Sequence, residues 1–166
     1  CPLFGDGAAA VLLEATTEQN IGVMDSYFRT DGKGLPFLHL KAGGSVSPAS
    51  HFTVDHRMHY LYQEGRTVFR YAVTNMGDDC ALITKRNNLS KEDIRFVVPH
   101  QANMRILQAT AERLGLDDDR MPSNIERLGN TSSASIPIAL DELNRAGKLT
   151  HGDYIILTAF GGGLAN

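Results

Sequence analysis

The chain has 166 residues, enough for about one domain, with 42% hydrophobic residues, 21% charged residues and a formal net charge of −3. That balance argues against a generally basic nucleic-acid-binding surface, and no run of 18 apolar residues offers a transmembrane helix. The two cysteines, Cys1 and Cys80, form neither a disulfide framework nor a metal-ligand spacing. No signal peptide is visible, and a cytoplasmic setting is expected.

In chain order, "AAAVLLEA" at 8–15, preceded by Gly5 and Gly7, reads as a buried strand, with "IGVMDSYFRT" at 21–30 as its antiparallel partner. The glycine- and proline-containing stretch 31–50 reads as an irregular surface loop, and "HFTVDHRMHYLY" at 51–62 as either extended chain or loop. From Tyr62 to Arg86 the pattern becomes helical, with Leu61, Val68, Phe69, Ala72, Val73, Met76, Cys80 and Ile83 recurring at threes and fours. "IRFVVP" at 94–99 is a short strand. A helix follows from Asn103 to Leu114, with Met104, Leu107, Thr110, Ala111 and Leu114 on one side and Gly115 as its stop. Residues 121–130 form a turn or short helix. Ser135 to Ala146 is another helix, with Pro137 confined to its first turn and Gly147 ending it. "DYIILTAF" at 153–160 is a buried strand. Helix, strand, helix, helix, strand is the order of an α/β layer fold. The chain opens without methionine inside a strand-like run and closes just after a glycine run, so it is expected to be a piece of a larger protein.

Three polar turns stand out: His100 after the strand at 94–99, Asn130 in "GNTSSAS" before a helix, and glycines 161–163 after the last strand. Ligands of open α/β sheets gather outside the carboxyl ends of the strands, so these turns could converge on one site. On spacing alone a capping histidine, a turn asparagine and a flexible glycine bend explain them as well.

Taken together, "LFGDGAAAVLL", "PHQANMRIL", "NIERLGNTSSASIPIALDEL" and "AFGGG" resemble the β-ketoacyl-acyl carrier protein synthase III family, from Leu3 to the end and most weakly over 31–60. The resemblance implies a thiolase-like α/β fold of layered helices and mixed sheet. Residues 1–30 would be the last strands of the N-terminal half, 31–61 a connecting region, and 62–166 the C-terminal half, truncated at its end. It implies acyl transfer from acyl-CoA to a cysteine, then decarboxylative Claisen condensation with malonyl-acyl carrier protein in fatty-acid synthesis. A starter-unit or quinolone-type condensing enzyme, and a non-catalytic scaffold subunit, are the alternatives.

By the same resemblance His100 and Asn130 are the catalytic histidine and asparagine. Both are hydrogen-bond donors to the thioester oxygen on which charge builds during decarboxylation. Gly162 matches an oxyanion-hole glycine. Arg70 and Arg105 match carrier-protein-binding positions, with Arg113 a weaker third and Glu112 opposing them. Gly65, Phe69, Asn103 and Phe160 match substrate-tunnel positions, although Asn103 reads equally as a helix-terminal polar residue. The partners implied are acyl carrier protein, acyl-CoA and a second copy in a homodimer, with neither nucleic acid nor membrane, and no cofactor is expected. The family's nucleophilic cysteine has no counterpart: Cys1 precedes "FGDGA" at a non-catalytic position, and Cys80 falls on an apolar helix face. The chain alone is therefore expected to be inactive. His51, His56 and His59 lack a ligand set of recognisable spacing, so no metal is expected. Asp6 reads as a turn residue, and the glycine run is not a phosphate loop because no "GK[ST]" follows.

Overall fold

Val98 is wholly buried and Phe96 and Val97 nearly so, and the strand that carries them has helices on both faces. A computed structural model describes residues 3–19 and 21–166; the reading of Cys1 lies outside the described residues. The chain divides into two compact units, Cys1–Tyr27 with Val73–Ala159, and Phe28–Ala72 with Phe160–Asn166.

The second unit holds the shorter elements. They are a 3₁₀ helix Gly32–Phe37, β1 (Leu38–Leu40), α1 (His51–Asp55), β2 (Leu61–Gln63) and the first turns of α2 (Gly65–Arg86). β1 and β2 are antiparallel, with Leu38 opposite Gln63 and Leu40 opposite Leu61. The region expected to be irregular is therefore partly ordered, and 51–55 is helical rather than extended or loop. A local device accounts for α1. The Ser50 hydroxyl accepts from Thr53 N–H, and Thr53 Oγ1 accepts from Ser50 N–H, a reciprocal cap that starts a helix where propensity is weak.

The first unit is built on β3 (Ile94–Pro99) and β4 (Tyr154–Thr158), which pair in parallel. α3 (Met104–Leu114), α4 (Ile125–Leu128) and α5 (Ser135–Arg145) follow β3. On one face Ile94 and Val97 pack with Cys80 of α2, Leu107 and Ala111 of α3, and Met121. On the other, Phe96 and Val98 pack with Ala139 and Leu143 of α5. Ile94 shares a face with Val97, against the period-two rule, because the register slips by one residue between Ile94 and Phe96. That irregularity leaves Arg95 exposed, its guanidinium 4.8 Å from the centroid of the Phe96 ring. Coverage on both faces is the usual condition of a parallel pair and explains the unbroken apolar run 96–98.

The N-terminal stretch differs from its reading. Residues 8–15 and 21–30 form no ladder with one another, and Val11, Leu12 and Leu13 are exposed. An apolar run becomes a buried strand only where other elements cover it, and none of the described residues covers this one. Gly5 and Gly7, by contrast, are docked: a Cβ on Gly5 would stand 1.8 Å from the Leu128 carbonyl oxygen. Among the described residues no helix is long and apolar enough to cross a membrane.

Candidate active site

β3 ends at Pro99, and the chain turns at His100 beside the end of β4, where the His100 N–H donates to the Thr158 carbonyl at 2.7 Å. Gln101 follows, fully buried. Its side-chain amide donates to the Pro99 and Pro122 carbonyls at 3.0 and 3.2 Å, and its oxygen accepts from Asn124 N–H at 3.1 Å. These bonds lock the bend that presents the His100 ring.

Asn130 is held from a different direction. Its N–H donates to Leu3 O and its carbonyl accepts from Gly5 N–H, both at 3.1 Å, so "LFG" lies against the turn. Its side-chain oxygen accepts from Ser132 N–H at 2.9 Å, which leaves the amide NH2 as the end that can donate. Ser132 has φ of 53°, a left-handed conformation that costs a non-glycine residue about 1–3 kcal/mol and persists only where its surroundings fix it.

The two turns meet. His100 Nδ1 lies 2.8 Å from the Ser135 hydroxyl, at the start of α5, and the ring also hydrogen-bonds the Ser132 backbone. The Ser132 backbone thus contacts His100 and accounts for the orientation of Asn130. Burial pushes the His100 pKa below its ordinary value, and the Ser132 contact opposes this. Burial thus favours the neutral imidazole, while the Ser132 contact favours a proton on the ring.

Asn103 caps α3, its side-chain oxygen accepting from Ile106 N–H at 3.0 Å. Arg105 on α3 is exposed. Arg113 is engaged elsewhere: it pairs with Asp78 at 2.5 Å and lies across Gly77, so its charge is compensated within the unit. Cys80 sits in the core between α2 and β3, and burial raises its thiol pKa to about 12, with a Thr158 hydrogen bond acting weakly the other way. It is no nucleophile, because the thiolate is the reactive form. A cavity of about 560 Å³ lined by Cys80, Lys85, Lys91, Ile94, Val97 and Leu114, among others, includes neither His100 nor Asn130.

The remaining sequence candidates lie in the second unit. Gly65 is the exposed first residue of α2, Phe69 is half-buried one turn on, Arg70 is exposed, and Phe160 is buried. Gly162 occupies a turn in which Gly161 N–H donates to Ala165 O at 2.8 Å. This turn is clamped. Leu164, at φ 46°, accepts at its carbonyl from the Tyr71 hydroxyl at 2.8 Å and from Asp31 N–H at 3.2 Å. Its side chain fills the place a Cβ on Gly34 would need, 2.1 Å away. His56 Nδ1 bonds the Phe52 carbonyl at 2.8 Å and His59 Nε2 the Thr53 hydroxyl at 2.9 Å. Among the described residues no three His, Cys, Asp or Glu side chains form a metal-holding group.

Sequence reasoning missed Gln101, Ser132, Ser135 and Tyr71. The first three adjoin the motif residues, which is the only signal they gave. Tyr71 gave none.

Known proteins match this chain over nearly its whole length. Residues 84–166 match the family model described as 3-oxoacyl-[acyl-carrier-protein (ACP)] synthase III C terminal, and residues 1–32 that of 3-oxoacyl-[acyl-carrier-protein (ACP)] synthase III. The chain is 57% identical over 99% of its length to β-ketoacyl-[acyl-carrier-protein] synthase III 1 of Bacteroides thetaiotaomicron, of which it covers 48%. It is 60% identical over 98% of its length to the synthase III of Phocaeicola vulgatus, again covering 48%. The crystal structure of the Thermus thermophilus synthase III superposes with a TM-score of 0.72 at 40% identity, over 84% of this chain and 42% of that one. The chain thus spans about half the length of the curated relatives it matches. It belongs to the 3-oxoacyl-[acyl-carrier-protein] synthase III family and has the thiolase-like α/β fold of that family.

Proposed function

We propose that this chain supplies the decarboxylation half of a condensing site. In the intact enzyme, which we take to be this chain together with the further half its relatives carry, an acyl group passes from acyl-CoA to a cysteine outside this chain. Malonyl-acyl carrier protein then binds with its thioester oxygen between His100 and the Asn130 amide. The bond from the malonyl α-carbon to its carboxylate breaks, carbon dioxide leaves, and the electron pair is held as an enolate. The enolate carbon attacks the acyl-cysteine carbonyl, and the cysteine departs as thiolate. The observation that carries this reading is the common Ser132 anchor, which holds an imidazole and a carboxamide NH2 at one turn. Two fixed donors aimed at one developing oxyanion are worth roughly 3–4 kcal/mol each.

Other roles complete the proposal. Gly162 donates its N–H to the oxyanion of the acyl-transfer step. Gly65, Phe69, Asn103 and Phe160 line the substrate path, and Arg70 and Arg105 meet the acidic carrier protein, where exposed charge speeds docking. The enzyme works in the cytoplasm as a homodimer.

His100→Ala in the intact enzyme tests this. A burst of labelled acyl-enzyme should persist while carbon dioxide release falls at least about a hundredfold, the scale of one lost oxyanion donor. Undiminished release would remove His100 from the role.

A further inference from the structure

We propose that Gln101 is a positioning residue that sets the spacing of the two donors, His100 and Asn130. Its buried carboxamide is a strut between the bend that carries His100 and the segment that delivers Asn130. The proposal rests on the reading above and adds to it a residue outside the catalytic pair.

Gln101 has no exposed surface, and both polar atoms of its side chain are engaged. Its Nε2 donates to Pro99 O, at the end of β3, at 3.0 Å and to Pro122 O at 3.2 Å, while its Oε1 accepts from Asn124 N–H at 3.1 Å. The NH2 faces two carbonyls and the oxygen faces an N–H, so a flipped amide would lose all three bonds. Packing alone does not call for this side chain, because an apolar one fills the same volume without a polar group to desolvate. What a fully satisfied buried amide adds is one fixed geometry.

The far side of the strut leads to Asn130. Asn124 precedes α4, and its carbonyl accepts from Arg127 N–H and Leu128 N–H, both at 3.0 Å. Gly129 N–H donates to Ile125 O at 2.8 Å, and Asn130 is the next residue. Glu142 of α5 braces this segment, its carboxylate accepting from Asn124 Nδ2 at 3.1 Å and from the Arg127 guanidinium at 2.8 Å. The same helix begins at Ser135, whose hydroxyl lies 2.8 Å from His100 Nδ1. Bend, strut, α4 segment and α5 thus form a closed ring, with His100 and Asn130 on it. Gln101 is the member that ties the bend to the α4 segment, so its loss lets the two donors drift apart without removing either.

The test uses the intact enzyme and Gln101→Glu, which keeps the size of the side chain but replaces the NH2 with a carboxyl oxygen, so at least one donor bond is lost. Carbon dioxide release from malonyl-acyl carrier protein should fall about ten- to a hundredfold, the upper end being the cost of misplacing reacting groups by about 1 Å. The acyl-enzyme burst and the KM for malonyl-acyl carrier protein should stay unchanged. Adding Asn130→Ala to Gln101→Glu should then reduce release by a factor at least about threefold smaller than in the wild type, the coupling expected of residues that act as a unit. Undiminished release, or full additivity of the two substitutions, would overturn the proposal. A wild-type measurement decides independently of how the variant folds. With ¹⁵N-labelled glutamine, the side-chain NH2 signal absent from Gln101→Glu should be protected from hydrogen exchange in the wild type, and exchange at the rate of an exposed amide would overturn the strut. If the amide is protected while His100→Ala and Asn130→Ala both decarboxylate normally, the functional reading fails and only the structural bridge stands.

Discussion

Val11–Leu13 and Phe96–Val98 are both runs of three large apolar residues, yet the first is 69–81% exposed and the second at most 2%. The later run is covered by α2 and α3 on one face and by α5 on the other. The earlier one leaves its docking point at Gly5 and Gly7 and finds no cover among the described residues. Hydrophobicity alone does not bury a strand. In this chain what buries one is the αβα layering around β3 and β4, the same layering that sets His100 at a strand end.

The contrast can be broken most easily in the core. Phe96→Ala should lower the stability of the first unit by about 3–5 kcal/mol in urea unfolding, the usual cost of deleting a buried aromatic ring. Leu12→Ala should change it by less than about 0.5 kcal/mol, as exposed positions do. Equal effects would mean that the N-terminal run is packed after all.

A middle case sharpens it. Gly5→Ala places a methyl against the Leu128 carbonyl, where backbone rather than a flexible side chain must yield. A loss of about 1–3 kcal/mol is expected, whereas Gly44→Ala, with open space around it, should move the unfolding midpoint little. Because Gly5 also bonds Asn130, the variant should perturb the amide resonances of 130–132.

The smallest effect belongs to Asp25, which joins Arg86 and Asn87 at the surface. The Arg86 hydrogen bonds, and then Asn87, hold its carboxyl well below the usual carboxylate range. The folded state therefore binds this proton less readily than the unfolded state. The resulting stabilisation is present above the ordinary value of 3.8 and is lost as pH falls through the folded value. Asp25→Asn should lower Tm slightly at neutral pH, and the gap should close on acidification below 3.8. A gap independent of pH would assign the effect to packing instead.

Much of this arrangement was legible in the residues. β3, α3 and α5 announce themselves through the apolar run 94–99, the three-four spacing of Met104 to Leu114, and the stops at Gly115 and Gly147, both of which adopt positive φ. His100 and Asn130 stood out through their motifs. Residues 31–63 were not legible, because three-residue strands carry no periodicity and α1 depends on one reciprocal pair, Ser50 and Thr53. The N-terminal strands were misread because a hydrophobic run reports what could be covered, not what covers it. The support beneath the site was hidden for another reason. Ser135 meets His100 across 35 residues, and Tyr71 meets Leu164 across 93, so neither contact has a local signature.

The central claim is that the Asn130 amide NH2, aimed by its own oxygen through the Ser132 N–H, holds the enolate oxygen. Asn130→Asp keeps the shape and the Ser132 contact while replacing that donor with a carboxylate oxygen. Carbon dioxide release from malonyl-acyl carrier protein by this variant of the intact enzyme, measured beside its acyl-enzyme burst, is the most direct test. The account predicts a normal burst and a release rate lower by at least about a hundredfold. Release at the wild-type rate would contradict it.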